Sequence, residues 1–276
     1  MGYKNSACLT VIAAKKSSSS ERCKQVRDKI QNSLRGTFGL LVLLVLWWSL
    51  TVPFSESTGM VRRFAPGPAL QTLVEMLGHA EIWTHIAVSL QRVFVGLGFA
   101  LLIGVPLGLL LGGSARINAT FSPAFQFLRM ISPLSWMPIA VIAFGVGNHP
   151  VYFLLAFAAV WPIMLNTIAG VRALDPRWLQ LSKSLAATRW ETLRGVVLPG
   201  VLGHILTGSR LAIGIVWIVL VPCEMLGVSA GLGYFILDTR DRLAYHELMA
   251  TIVLIGILGF ILDWMFREFC QLWSKA

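Results

Sequence analysis

The chain of 276 residues contains six apolar stretches, each about long enough to cross a lipid bilayer. A transmembrane helix needs about 20 mostly apolar residues, because its backbone polar groups find no water in the hydrocarbon. The stretches cover residues 38–54, 86–112, 119–146, 150–170, 200–226 and 247–272. The charged fraction of 13% is well below the roughly 25% of a soluble domain. The sequence therefore predicts an all-α integral membrane protein, with a polar tail over residues 1–36 and one membrane domain over 37–276.

The second apolar stretch carries small residues at every fourth position. The series consists of Gly96, Ala100, Gly104, Gly108 and Gly112. In a helix this spacing puts the small residues along one face and lets another helix approach closely. We expect either close packing within one subunit or a surface along which helices slide during a conformational change. Pro106 in this stretch, and Pro133 and Pro138 in the third, predict kinks.

A polar and basic segment, residues 172–199, separates the fourth apolar stretch from the fifth. Asp175 followed by Pro176 predicts a helix start, because an N-cap carboxylate accepts a backbone N–H bond and proline tolerates the first turn. The apolar residues that follow alternate with charged ones, and they are Trp178, Leu181, Leu185, Trp190 and Leu193. The pattern predicts a short amphipathic helix, bounded by membrane spans, that contacts another protein.

The polar segment resembles the cytoplasmic coupling loop of ABC importer permeases, with most likeness to the nitrate, taurine and aliphatic sulfonate branch. The shared landmarks are Pro176, Ser184-Leu185, Arg189-Trp190 and Leu198-Pro199. Four positions depart from the usual pattern. Gln180 replaces a glutamate, Leu181 and Ser182 replace two alanines, and Ala186 replaces a glycine. The resemblance extends over nearly the whole chain beyond residue 36.

This resemblance implies a type I importer permease fold of about six spans with a cytoplasmic coupling helix. It implies that the chain itself has no catalytic, cofactor or metal site, and that ATP and Mg²⁺ bind a separate ATPase. The expected partners are cytosolic ATPase subunits, a second permease copy, an extracytoplasmic solute-binding protein and membrane lipids. The residues that the resemblance assigns to ATPase coupling are Asp175, Pro176, Trp178, Gln180, Leu181, Ser184, Leu185, Ala186, Arg189 and Trp190.

The cargo that the resemblance implies is a small anion, and the candidates are nitrate or nitrite, cyanate, bicarbonate, taurine and alkanesulfonates. The rival hypothesis is an ion-coupled secondary transporter or a channel. A carrier of that kind is expected to show inverted repeats with broken helices. The sequence shows no internal repeat, and it lacks a Gly-x-x-x-x-Gly-Lys-Ser/Thr phosphate loop. Energy for pumping would therefore come from a partner.

The distribution of basic residues predicts the orientation in the membrane. Sixteen of the 23 Lys and Arg residues fall in the N-terminal tail, the 113–118 loop, the polar segment and the C-terminus. Because cytoplasmic loops hold the excess of positive charge, both termini should be cytoplasmic, in a bacterial inner membrane. The net charge of +10 then needs no nucleic-acid partner to explain it. Residues 227–246 are expected to form an outer loop with a short helix.

Four ionisable residues stand out inside or at the edges of the apolar stretches, and they are Arg92, Arg129, Arg210 and Glu224. Charged residues are costly in lipid, so they are candidates for function. The predicted pathway-lining residues are Arg129, Trp136, Trp161, Trp217 and Glu224. The alternatives are a buried ion pair or a snorkelling head group for the charged residues, and core or interfacial packing for the tryptophans.

Overall fold

A computed structural model describes residues 64–274, together with residues 39, 41–42, 44–49 and 51. The predicted tail lies outside the described residues, and so does part of the predicted first span, 38–54. The positions described between 39 and 51 are helical, and the indole N–H of Trp47 donates to the carbonyl of Phe64 over 3.1 Å. A compact unit covers Leu70–Ala276, and the elements that matter for function belong to it.

Helices follow one another with short connections from Pro66 onwards. In chain order they are α1 (Pro66–Leu77), α2 (Ala80–Gly113), α3 (Ala115–Met130), α4 (Met137–Phe144), α5 (Asn148–Ala173), α6 (Pro176–Ser184), α7 (Arg189–Thr192), α8 (Leu198–Glu224), α9 (Leu232–Asp241) and α10 (Tyr245–Ser274). A 3₁₀ turn, Pro133–Trp136, precedes α4, and a π-helical turn, Leu193–Val197, joins α7 to α8. The short helix expected within 227–246 is α9.

Within the described ranges, four helices are long and apolar enough to cross a membrane, namely Ala80–Gly113, Asn148–Ala173, Arg189–Glu224 and Tyr245–Leu272. They correspond to the second, fourth, fifth and sixth predicted spans. The single span predicted over 119–146 needs correction, because Ala115–Met130 and Pro133–Phe144 are bent by 87° and form a broken or re-entrant pair. The break falls at Pro133, which has no N–H to continue the α3 ladder.

The small-residue face of α2 lies against α5. A Cβ atom built on Gly96 would lie 2.6 Å from the Cβ of Leu155, and one on Gly112 would lie 2.7 Å from the Cβ of Val171. Gly104 and Gly108 make similarly close approaches, and Ala100 is fully buried. Pro106, where the sequence predicted a kink, lies inside α2, which continues through it as one helix. Helix α5 therefore runs through the middle of the bundle, packed on α2 and on α8.

Candidate functional site

The polar segment folds into two short helices, each with its own N-cap. The side chain of Asp175 accepts a hydrogen bond of 2.9 Å from the backbone N–H of Arg177, at the start of α6. Thr188 and Glu191 form a reciprocal capping box at the start of α7. The backbone N–H of Thr188 donates to the Glu191 carboxylate, which lowers the pKa of Glu191 below its ordinary value. Both helices are thus held locally by the sequence around them.

The single amphipathic helix predicted from Trp178 to Leu193 is wrong, because the chain breaks after Ser184. Ala186 has φ of +52°, in the left-handed region that strongly favours glycine. The hydroxyl groups of Ser182 and Thr192 lie 2.5 Å apart and hydrogen-bond α6 to the end of α7. ABC importer permeases usually have glycine at the position of Ala186. Glycine adopts a positive φ without steric cost, which suits the break at this position.

The polar segment exposes large apolar side chains. Trp178 is 59% exposed, Leu185 is 72% exposed and Trp190 is 68% exposed. All ten residues assigned to coupling by the resemblance are exposed. A groove of about 550 Å³ lies beside them, with Trp178, Leu181 and Leu185 among its lining residues. Exposed aromatic and aliphatic side chains beside an apolar groove are typical of a protein contact site.

A buried ion pair lies at the other end of α8. The guanidinium Nη1 of Arg92, on α2, is 2.7 Å from Oε1 of Glu224, and both side chains are at most 3% exposed. The Ser89 hydroxyl donates to the same carboxylate, 2.8 Å from Oε1 and 2.9 Å from Oε2. Arg92 also donates to the carbonyl of Ala230 and to Oδ1 of Asn148, at 2.7 and 2.6 Å. The charges of Arg92 and Glu224 therefore neutralise each other, and both side chains are hydrogen-bonded to neighbouring protein groups.

The loop before α9 docks on this ion pair through its backbone. The N–H of Gly233 donates to Oε2 of Glu224, and the N–H of Leu232 donates to the Ser89 hydroxyl, each over 2.9 Å. The N–H of Gly231 donates to Nδ1 of His85 over 3.0 Å. A Cβ on Gly231 would lie 2.5 Å from Nη1 of Arg92, and Gly231 has φ of +125°. Only glycine fits this turn beside the ion pair.

The predicted pathway-lining residues fall in different places. Arg129 and Trp161 line one cavity of about 150 Å³ between α3 and α5. Trp136 is connected to Trp161 through the ring of Phe157. The centroid of Phe157 lies 5.5 Å from that of Trp136 and 5.4 Å from that of Trp161. Glu224 lies in the buried ion pair, which was one of the alternatives.

Trp217 packs between α8 and α10. Its indole N–H donates to the carbonyl of Ile255 over 3.2 Å, and Gly259 is in close contact with it. Arg210, the remaining intramembrane charge, pairs with Asp263 at 3.4 Å. In the described residues, no group of three or more His, Cys, Asp and Glu side chains is placed to hold a metal ion.

The sequence did not indicate the residues that surround the ion pair. Asn148 bonds Arg92, Ser89 bonds Glu224 and His85 bonds the Gly231 backbone, and none of the three belongs to a motif. One signal was available: Gly231 and Gly233 follow Glu224 closely, and paired glycines near a buried charge indicate a backbone that approaches it. The pairing of Arg92 with Glu224 joins residues 132 positions apart, and no local pattern specifies such a contact.

Apolar helices around a central span, with a folded polar segment exposed between two spans, are the arrangement of a multi-pass membrane protein. The family model described as "Binding-protein-dependent transport system inner membrane component" matches residues 104–270, and the chain belongs to this family. It is a permease subunit of an ABC importer, as the resemblance predicted, and it does not belong to a catalytic family.

The relatives agree with this assignment. The chain is 34% identical to the bicarbonate transport system permease protein CmpB of Synechococcus elongatus, over 91% of this chain and 92% of the relative. It is 32% identical to the taurine transport system permease protein TauC of Escherichia coli, over 81% of this chain and 82% of the relative. The inward-facing MetNI methionine ABC transporter has a TM-score of 0.59 at 19% identity, covering 69% of this chain and 94% of that one. This last likeness concerns the fold.

Proposed function

We propose that this permease carries a small anion and that its polar segment docks on a cytosolic ATPase. The observation that supports the docking is the exposure of Trp178, Leu185 and Trp190 beside an apolar groove. Large apolar side chains of this kind dominate the binding energy of protein interfaces when a partner covers them. The polar segment lies between two spans, α5 and α8, so a partner that moved it would move both spans.

Helix α8 provides a mechanical connection to the other end of the bundle. Arg189–Glu224 forms one long helical element of 36 residues, which corresponds to about 54 Å at 1.5 Å per residue. Its first turns belong to the docking surface and its last residue, Glu224, is fixed by Arg92 and Ser89. ATP-driven closure of the ATPase pair would therefore bring two polar segments together and swing the helices from inward-open to outward-open.

The proposal includes the assembly and its place in the cell. Two permease copies enclose the pathway, two ATPase subunits bind ATP and Mg²⁺ and hydrolyse the ATP, and an extracytoplasmic binding protein delivers the cargo. The chain lies in a bacterial inner membrane with both termini cytoplasmic, as its basic residues predict. Residues 1–36 are a cytoplasmic tail and residues 37–276 form the permease domain, with the coupling loop over 172–199.

The cargo class follows from the relatives. Bicarbonate and taurine, named for CmpB and TauC, both carry an anionic group, and nitrate, cyanate and alkanesulfonates share this property. We propose an anion of this class, taken up against its gradient at the expense of ATP. The role of the polar segment and the nature of the cargo can be tested separately.

Leu185→Asp tests the docking surface. Leu185 is 72% exposed, so aspartate should not disturb the bundle, whereas a buried charge at an interface should release the partner. Interface residues of this kind contribute about 2 kcal/mol or more, so we expect ATPase recovered with the tagged permease to fall by about 30-fold. Leu243→Asp is the matched control, because Leu243 is 62% exposed in the loop between α9 and α10.

Release of the ATPase by Leu185→Asp but not by Leu243→Asp supports the proposal, provided that both variants elute from size exclusion as the wild type does. Equal recovery of the ATPase with Leu185→Asp contradicts it. Anion uptake that persists in cells without the ATPase gene would favour the rival secondary transporter instead.

A further inference from the structure

Helix α3 carries a line of polar residues along one face. Asn118, Ser122, Gln126 and Arg129 are spaced by four, four and three residues, which keeps them on the same side of a helix with 3.6 residues per turn. All four line the cavity between α3 and α5. The opposite side of α3 presents apolar residues such as Phe127, which is 69% exposed. The helix therefore has a polar face and an apolar face within a membrane domain.

The cavity reaches the middle of α5, the central helix of the bundle. Trp161, which lines it, is close to the midpoint of α5, a helix of 26 residues. At 1.5 Å per residue, Trp161 is about 20 Å from either end of that helix. The ring of Phe125 on α3 lies 6.1 Å from the ring of Trp161, measured between centroids, and Arg129 is one turn further along α3. The polar face of α3 therefore lies beside the length of a span and not only at its end.

Arg129 is uncompensated in this position. No carboxylate is among the residues that line the cavity, and in the part of the chain that the structure describes Arg129 forms no ion pair or hydrogen bond. Three arginines in the candidate spans differ from it, because Arg92 is paired with Glu224, and both Arg210 and Arg267 are paired with Asp263. An unpaired guanidinium that faces acyl chains within a span is costly. The polar face must therefore meet water, a solute or a second copy rather than acyl chains.

We propose that Arg129, with Gln126, Ser122 and Asn118, forms a binding site for a small anion at the middle of the transport pathway. This inference rests on the proposed function, because the cargo is taken to be an anion. The guanidinium supplies a charge and two parallel donors that suit a planar or tetrahedral oxyanion. The Gln126 amide donates to the Ser122 hydroxyl over 3.4 Å, and the other amide and hydroxyl donors of this face would bind the same anion.

The construction of the cavity suits capture followed by release. Its volume of about 150 Å³ is smaller than the roughly 300–1,000 Å³ of a site for a drug-sized ligand, so it suits an ion of a few atoms. Phe125 of α3 and Trp161 and Met164 of α5 add apolar surface to its lining. One exposed arginine beside neutral donors attracts an anion less strongly than several buried arginines would. The site therefore binds the anion weakly enough to release it.

The test places thiol reporters in the pocket of the full permease–ATPase complex. Ser122→Cys and Gln126→Cys are made in a chain whose four native cysteines are replaced by alanine. Each is treated with an anionic sulfonatoethyl and a cationic trimethylammonium-ethyl methanethiosulfonate, neither of which enters lipid. Both positions are expected to react, and faster with the anionic reagent. Phe127→Cys, on the apolar face of the same helix, is the control and is expected to resist both reagents.

Removing the charge should reverse the preference. With Arg129→Gln added, the rate with the anionic reagent should fall about tenfold and the rate with the cationic reagent should rise. A change of this order is expected for one unit charge about 6 Å away at an effective dielectric constant of about 40. Arg129→Lys, which keeps the charge, should retain the anionic preference. Unreactive pocket cysteines, or rates that ignore the charge at residue 129, would overturn the inference.

Uptake by proteoliposomes distinguishes this inference from the proposed function. The complex is reconstituted with its binding protein and assayed with bicarbonate, nitrate and taurine. Arg129→Gln should reduce the maximal uptake rate about tenfold, with ATPase recovery and elution volume unchanged, and Arg129→Lys should restore most of it. If the wild-type complex takes up none of the three anions, the proposed function fails. If it takes up an anion that Arg129→Gln carries at the wild-type rate, only the inference fails.

Discussion

Replacing Gly108 by alanine should loosen the contact between α2 and α5. A Cβ atom at this position would lie 2.5 Å from the Cβ of Thr167 and 2.9 Å from the backbone carbonyl oxygen of Met164. Carbon atoms in good contact are about 3.5–4.0 Å apart, so the helices would have to separate locally by about 1 Å. Because one of the atoms met is backbone, a side-chain rotation cannot relieve the overlap.

The magnitude follows from two opposing effects. Alanine favours a helix over glycine by about 1 kcal/mol, whereas overpacking a tight contact costs about 1–3 kcal/mol. Gly98 on the same helix has nothing within 4 Å of a built Cβ, so Gly98→Ala receives the first effect without the second. We expect Gly108→Ala to be up to about 2 kcal/mol less stable than wild type, and Gly98→Ala to be up to about 1 kcal/mol more stable.

The assay measures the midpoint temperature of unfolding. The detergent-solubilised protein is heated, and the fraction that remains monodisperse is measured by size exclusion. For a unit of about 200 residues, 1 kcal/mol shifts the midpoint temperature by about 2–4 °C, so Gly108→Ala should melt up to about 8 °C lower than wild type and below Gly98→Ala. Equal midpoints for Gly108→Ala and Gly98→Ala would refute the packing argument. A normal midpoint combined with slower uptake would indicate instead that the face serves as a sliding surface.

Three further predictions concern the ion pair and the polar segment. Glu224→Ala leaves Arg92 buried and unpaired, so the same heating assay should show a loss of about 3–5 kcal/mol, and a smaller loss for Glu224→Gln would follow from its retained acceptor. Ala186→Gly should stabilise the break after α6, because the left-handed backbone costs alanine about 1–2 kcal/mol; slower amide exchange at 185–188 would show it, and unchanged exchange would contradict it. The hydrogen bonds from Thr188 lower the pKa of Glu191 from its ordinary value of 4.5. The charged carboxylate therefore stabilises the capping box at neutral pH. This stabilisation is lost as the pH falls below 4.5 and through the folded-state pKa. ATPase recovery should therefore be insensitive to Glu191 titration between pH 8 and pH 6, and a transition in that range that Glu191→Ala removes would show that the pKa is not lowered.

Sequence alone predicted the features that repeat at short range. Apolar length identified four spans that the structure contains, because a helix must satisfy its own backbone in lipid whatever surrounds it. The spacing of the small residues predicted a packing face, and Asp175-Pro176 predicted the start of α6. The coupling-loop likeness led to the family. These features depend on neighbouring residues only, so periodicity and capping chemistry suffice to recognise them.

Tertiary structure alone decided which distant residues meet. Arg92 pairs with Glu224 because α2, α8 and the loop before α9 pack against one another. From the sequence alone, Arg92 and Glu224 each have several potential partners. The sequence predicted a kink at Pro133, but the angle of 87° between α3 and α4 and the positive φ of Ala186 were seen only in the structure. Among the described residues, the helices around Arg129 bring no carboxylate to its cavity. Local sequence determines which helices form, and long-range packing determines which charges are neutralised.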